Sequence, residues 1–243
     1  MLTLALDTSS ACGSLAFLRD DAVIGTVGTS SSEVYSSRVF RHLEFLLGEL
    51  SLRIEDFDLF AVAAGPGSFT GLRVGLTAVK GWAEVFGKPI AAVSALEAVA
   101  AQSSAKAARV AAVMDARRNE LYWGFYRQGD AKDGARLVLE NHEMVGPREE
   151  FVRAVASCEG AEKMAIVTPT PDVLGGIVPQ LENRDVVRRT ILIDRVSPFL
   201  APEIGRLGLR CARAGRVADA LTLDANYIRR SDAELHWKGS SGS

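Results

Sequence analysis

Cysteine is scarce in this chain of 243 residues: Cys12, Cys158 and Cys211 are odd in number and widely scattered. That argues against a disulfide framework or a thiolate metal site and suits a reducing cytoplasm. Histidine is equally thin, and His42, His142 and His236 have no His, Cys or carboxylate partner at ligand spacing, so zinc or iron is not expected. Long apolar runs are missing too. The longest stretch without Asp, Glu, Lys or Arg is Leu59 to Leu72, interrupted by Gly65-Pro66-Gly67, and it does not approach the roughly 20 apolar residues of a spanning helix. The amino terminus has no cationic segment and its apolar stretch Leu2 to Leu6 ends at Asp7, too short for a secretory signal. A cytoplasmic protein without membrane contact is the expectation.

An excess of positive charge is also lacking. Lys and Arg total 28 against 30 Asp and Glu, a net charge of −2, so no global field draws the chain to a polyanion and any RNA contact must be local or shared. What is present is an ordinary globular composition, 48% hydrophobic and 24% charged. At about 150 residues per domain the length fits one large domain or two small lobes, and two lobes are preferred. The reading is a first lobe over 1–105, a second over 106–225 whose chain end returns to the first, and a tail over 226–243 that includes the flexible Gly239-Ser240-Ser241-Gly242-Ser243. No tandem repeat is visible.

Short β-prone runs, Leu2 to Leu6, Ser14 to Leu18 and Ala22 to Val27, separated by Gly13 and the turn Arg19-Asp20-Asp21, predict an opening three-stranded meander. Val39, Leu43, Leu46 and Leu50 then recur at helical spacing, with Phe40 and Leu47 widening the stripe. Leu59 to Ala63 reads as a strand running into a glycine-rich turn, Gly65 to Gly71, followed by a helix with Leu72, Leu76, Val79, Ala83 and Phe86 on one face. Gly87-Lys88-Pro89 ends that helix, Ile90 to Val93 is a brief strand, and Ala95 to Gln102 is helical. The second lobe opens on strands Val110 to Met114 and Leu121 to Tyr126. Helices at Glu149 to Ala156 and Pro198 to Ala214 and strands at Met164 to Val167 and Thr190 to Ile193 complete an α/β chain.

Two segments carry the chemistry. Asp7-Thr8-Ser9-Ser10 stands at the carboxyl end of the first strand, where open α/β sheets place ligands and where a carboxylate with hydroxyls can hold a hydrated magnesium; the plain alternative is that Asp7 and Thr8 satisfy turn backbone groups. Gly65, Gly67, Ser68 and Gly71 allow close backbone approach ahead of a helix start whose unpaired amides can cradle phosphate. The segment is neither a Walker loop nor a dinucleotide fingerprint, and Gly71 with Gly75 equally fits tight helix packing. With Asp115, these residues form a candidate nucleotide or phosphate site.

The helix after this turn has a second face of small residues, Val74, Ala78, Gly81 and Val85, and only a narrow polar strip at Thr77, Lys80 and Glu84, so both sides should be covered. On the preceding helix Phe45 points away from the apolar stripe, toward Arg38, Arg41 and Glu49. Phe45, Arg41, Val74, Ala78, Gly81 and Val85 are therefore the predicted partner interface. Arg206, Arg210, Arg213 and Arg216 make a basic stripe on the last helix, with Arg184, Arg188, Arg189, Arg117 and Arg118 adding local charge; such stripes are more often solvated or paired with carboxylates than RNA contacts. No serine has the setting of a nucleophile elbow.

At Leu4-Ala5-Leu6-Asp7-Thr8-Ser9, Gly65 through Gly75, Asp115-Ala116-Arg117-Arg118-Asn119-Glu120-Leu121-Tyr122 and again near Tyr227 to Glu234, the chain resembles the TsaB (YeaZ-like) family, dimerisation subunits of the bacterial tRNA threonylcarbamoyladenosine machinery. The resemblance implies a two-lobe actin-like, Hsp70-like (ASKHA) fold. It further implies a heterodimer with the catalytic paralogue TsaD through first-lobe helices, a TsaE-like ATPase joining that pair, and transfer of threonylcarbamoyl from its adenylate to an adenosine beside the anticodon, with tRNA met through the complex. The paralogue's two metal-binding histidines correspond here to Ala95 and Val99, which cannot coordinate a metal. A non-catalytic supporting subunit follows, without catalytic residues, resident metal or cofactor of its own, though ATP or ADP within the complex and a homodimer of the isolated chain stay open. One departure is Tyr35-Ser36-Ser37 where many members have His-Ser-Glu. The enzymatic alternative is an actin-like-fold ATPase or phosphotransferase using Asp7, Asp115 and the glycine turn; a third reading is an RNA-binding module built on the arginine stripe.

Overall fold

A computed structural model describes residues 1–31, 36–129, 137–158, 163–183, 187, 190–226 and 228. The tail apart from residues 226 and 228, Tyr35, His236 and Arg184, Arg188 and Arg189 lie outside the described residues, as does most of the Tyr227 to Glu234 stretch. The first sheet is built from β1 (Leu2–Asp7), β2 (Cys12–Arg19), β3 (Ala22–Ser30), β4 (Leu59–Gly65) and β5 (Ile90–Ser94) in the order β3-β2-β1-β4-β5. The second contains β6 (Arg109–Asp115), β7 (Glu120–Gln128), β8 (Leu137–Leu139), β9 (Met144–Pro147), β10 (Lys163–Thr168) and β11 (Thr190–Arg195), ordered β11-β10-β6-β7-β8 with β9 also on β7. In each sheet a hairpin opens the strand set, β1/β2 and β6/β7, and two later strands extend it in parallel. The two sheets thus repeat one topology, and the fold is the two-lobe actin-like α/β architecture.

Side-chain size sorts the faces of the first sheet. Leu4, Leu6, Leu15, Phe17, Phe60 and Val62 point to the outer layer, formed by helices α1 (Ser36–Leu50) and α2 (Phe69–Phe86) with Val39, Leu43, Leu46, Leu72, Leu76 and Val79. The alternate residues Ala5, Ala16, Ala61, Ala63 and Ala91 point inward and are small. They accept α6 (Ala201–Arg213) at close range: a methyl group at Gly208 would lie 2.6 Å from the Ala61 Cβ, and one at Gly205 would run into Leu18. Helix α3 (Ala95–Ala101) packs on β6, β7 and β10 of the second sheet and against α6. One continuous core joins both sheets through these two helices. The far face of the second sheet packs Trp123, Met164 and Ile166 against Phe151 and Val155 of α4 (Arg148–Ser157) and Leu181 of α5 (Val178–Glu182).

Three details differ from the sequence reading. Helix α2 begins at Phe69, inside the supposed turn, because the Ser68 hydroxyl accepts the Gly71 N–H and caps it; Gly87 at φ 63° closes the other end. Phe40 does not widen the buried stripe of α1: it is 56% exposed, one helical step from Val39, and its ring sets edge-on to Trp82 of α2 at 6.4 Å. Strands β8 and β9 and helix α5 were not anticipated, being too short for their periodicity to register. The return to the first sheet starts at Ala201, and residues 217–226 continue along it through the Ala218–Ile90 bridge.

Candidate functional site

The end of β1 and the start of α2 meet in a tight corner. The Ser68 N–H donates to the Ser9 carbonyl at 2.7 Å. A methyl at Gly67 would collide with the Ser9 carbonyl oxygen, one at Gly71 with the Thr8 carbonyl oxygen, and one at Gly75 with the Thr8 hydroxyl. These glycines are therefore spent on contact between chain and chain. Asp7 is fully buried; its Oδ1 accepts the Ser9 N–H at 2.9 Å and the Ser9 hydroxyl at 2.7 Å. Its Oδ2 and the Thr8 hydroxyl have no hydrogen-bond partner, although the Leu200 amide ahead of α6 approaches the carboxyl. Burial pushes the Asp7 carboxyl up to about 6, against the smaller opposing effect of the Ser9 hydrogen bonds.

Of the predicted phosphate residues, the fold thus assembles Asp7, Thr8, Gly67, Ser68 and Gly71 in one corner. Gly65 faces elsewhere: its φ is 133°, and any Cβ would strike the Asn226 carbonyl oxygen. Asp115 turns into its own hairpin, where it accepts the Arg117 N–H at 2.9 Å ahead of three successive left-handed residues, Arg117, Arg118 and Asn119.

The predicted partner face is open. Val85 is 74% exposed, Gly81 is exposed and a methyl there would meet nothing within 4 Å, and Val74 and Ala78 are half-buried. On α1, Phe45 is 56% exposed beside exposed Arg41, and Phe40 continues the apolar surface toward α2. Arg38 is a correction: rather than flanking Phe45 it is buried, donating to the Thr29 hydroxyl at 2.5 Å and the Thr29 carbonyl at 3.3 Å, because its position on α1 faces β3. Among the described residues, then, α2 is covered on its sheet side alone.

The arginine stripe is largely consumed internally. Arg206 pairs with Glu203 and donates to the Asp21 carbonyl, Arg213 reaches Asp21 at 3.5 Å and Asp20 at 3.9 Å, and Arg210 and Arg216 lie near Glu97. Among the described residues no group of three or more His, Cys, Asp or Glu side chains is placed to hold a metal ion, and no helix is long and apolar enough to cross a membrane.

Sequence reasoning missed a polar cluster between the sheets. Glu143, in the loop between β8 and β9, accepts through Oε1 from the Ser94 hydroxyl and from the Tyr126 hydroxyl at 2.9 Å, and through Oε2 from the Asn226 side-chain amide at 3.2 Å. Burial raises the Glu143 and Glu97 carboxyls and the Tyr126 phenol. No local pattern marks these residues, which come from four separate parts of the chain.

A family model described as TsaD, tRNA N6-adenosine threonylcarbamoyltransferase, matches residues 20–141, half of the chain. The chain belongs to this family. Within it the chain is TsaB/YeaZ-like. It is 37% identical over 127 residues to the tRNA threonylcarbamoyladenosine biosynthesis protein TsaB of Bacillus subtilis, covering 52% of this chain and 56% of that protein. To the TsaB of Escherichia coli it is 32% identical over 132 residues, 54% of this chain and 57% of that one. The chain spans about half the length of the curated relatives it matches. The structure of YeaZ from Pseudomonas aeruginosa superposes with a TM-score of 0.74 at 27% identity, over 93% of this chain and 99% of that chain.

Proposed function

We propose that this protein is a non-catalytic scaffold in the biosynthesis of threonylcarbamoyladenosine in tRNA, engaging a catalytic TsaD-type paralogue through the outer face of α1 and α2. The observation that carries the reading is the uncovered surface of Val74, Ala78, Gly81 and Val85, extended by Phe40 and Phe45: small residues let a partner helix approach closely, and the aromatics supply anchors. Ala95 and Val99, at the positions that the family resemblance matches to the paralogue's metal-binding histidines, are sealed in the hydrocarbon core and offer no ligand. The enclosed Asp7 disfavours the phosphotransferase alternative. A TsaE-type ATPase and tRNA are met through the assembled complex, in the cytoplasm.

The test is co-purification with a TsaD-type paralogue. Phe45→Asp combined with Val85→Asp alters two exposed side chains, so the fold should survive with an unchanged melting temperature while affinity for the paralogue falls on the order of 100-fold, as at a two-anchor hot spot. Retention of a stoichiometric complex by the double variant sinks this face as the interface. Threonylcarbamoylation of tRNA by the purified chain alone sinks the scaffold role.

A further inference from the structure

The polar cluster at Glu143 joins three parts of the molecule through side chains. Ser94 ends β5 of the first sheet and caps α3, its hydroxyl also accepting the Glu97 N–H at 3.1 Å. Tyr126 belongs to β7 of the second sheet. Asn226 belongs to a strap, described over residues 217–226, that leaves α6, bridges Ile90 through reciprocal Ala218 hydrogen bonds of 2.8 and 2.9 Å, and crosses to the carboxyl end of β4, where the Asn226 N–H donates to the Ala64 carbonyl at 2.7 Å. At that crossing the Asn226 carbonyl presses on Gly65, whose positive φ and missing side chain make the crossing possible.

The strap is weakly held for its length. Leu223 is its one deeply buried side chain; Leu221 is 89% exposed, and Val217, Asp219, Thr222, Asp224 and Asn226 are exposed. Its middle is stiffened locally by Asp219, which accepts from the Leu221 and Thr222 amides. A segment with few buried apolar contacts and an exposed backbone belongs to the low-energy end of local opening. The carboxyl end of a parallel strand, which this strap reaches at Asn226 on β4, is where such sheets present their functional surface.

We propose that residues 217–226 form a detachable strap running from the amino end of β5 to the carboxyl end of β4, and that Glu143 is its latch, coupling the seating of Asn226 to the relative position of the two sheets. The two oxygens of one carboxylate divide the work: Oε1 is fixed by Ser94 and Tyr126, and Oε2 is thereby aimed at Asn226. Loss of either Oε1 donor lets the carboxylate rotate and releases Asn226, which is held through Oε2. Glu97 faces the same cluster from α3, with Arg210 and Arg216 beside it, so the carboxylate pair is balanced from the α6 side.

Native-state hydrogen exchange on the full-length chain tests this. Tyr126→Phe, which removes one Oε1 donor without touching the strap, should accelerate exchange of the Ala218 and Asn226 amides about fivefold to tenfold, the effect of one lost hydrogen bond, and leave the β1 amides unchanged. Glu143→Gln should do the same or more. If Tyr126→Phe leaves both strap amides at their original rates, the latch does not exist. Acceleration spread equally to β1 would make Glu143 a general stabiliser and equally overturn the proposal. Asn226→Ala, which removes the side-chain amide held by Glu143, shows the exchange rate of the unlatched strap and should match the other two variants at Ala218; a slower rate there than in Tyr126→Phe also counts against coupling through Glu143.

Discussion

A carboxyl group with no solvent exposure and only one of its oxygens hydrogen-bonded is an expensive thing to keep charged, and Asp7 is held that way by the corner that surrounds it. Its folded value of about 6 lies above the ordinary 3.8, so folding favours the protonated form. The stability it contributes is complete below the unfolded value and is lost as pH rises through about 6; at pH 7.5 the ionised group costs on the order of 3 kcal/mol. Asp7→Asn keeps the shape and the acceptor for Ser9 while removing the charge. Thermal melts should show the variant more stable than the parent at pH 7.5, with the advantage shrinking toward pH 4.5; equal melting temperatures across that range contradict the sealed environment. Asp7 was legible in the sequence as a special residue, since a carboxylate followed by hydroxyls ends a largely apolar strand. Its use was not legible, because Asp-Thr-Ser at a strand end serves a hydrated cation and a self-satisfied turn equally well. Glu143 was not legible at all: nothing around it is periodic, and its partners are distant in the chain.

Helix α2 shows how one residue type plays opposite parts along a single element. Gly71 lies against the Thr8 carbonyl, whereas a methyl at Gly81 meets nothing within 4 Å. Gly71→Ala should therefore cost about 2 to 3 kcal/mol through forced displacement of β1 or α2, and Gly81→Ala should stabilise by up to about 1 kcal/mol through helix propensity. Urea unfolding of the two variants distinguishes them by sign; a loss at Gly81 comparable to that at Gly71 shows that the outer face is not open. The elements themselves were readable where their periods were strong. Leu72, Leu76, Val79 and Ala83 repeat at helical spacing and are buried together, and the β1 alternation of Leu4, Ala5 and Leu6 matches its two covered faces. Three- and four-residue strands such as β8 and β9 carry too few alternations to be distinguished from loop. The helix start at Phe69 was hidden because Gly65 to Gly71 is rich in residues that mark turns, and only the Ser68 cap reveals where the turn stops.

On the scale of the whole molecule, the decisive feature is that one core joins both sheets through α3 and α6. The two lobes should therefore unfold as a unit. Ile204→Ala removes a fully buried side chain from α6, at a cost of about 2 to 4 kcal/mol. Exchange protection of β6 and β10 in the second sheet should fall along with that of β1 and β4; protection lost from the first sheet alone would divide the molecule into independent halves. The two-lobe fold was implied by the family resemblance, but the placement of α6 was not derivable from its own residues. Its glycines, Gly205 and Gly208, read as helix weaknesses until the alanine face opposite them is known.

That placement has a consequence during translation. The five strands of the first sheet are complete at Ser94, yet the helix that covers their inner face ends at Arg213. At roughly 5 to 20 residues per second, the bare alanine surface is exposed on the ribosome for on the order of ten seconds while the second sheet is still being made. The nascent chain, rather than the finished protein, carries the greater hazard of sticking to its neighbours, and a message that slows synthesis between these two points lengthens it.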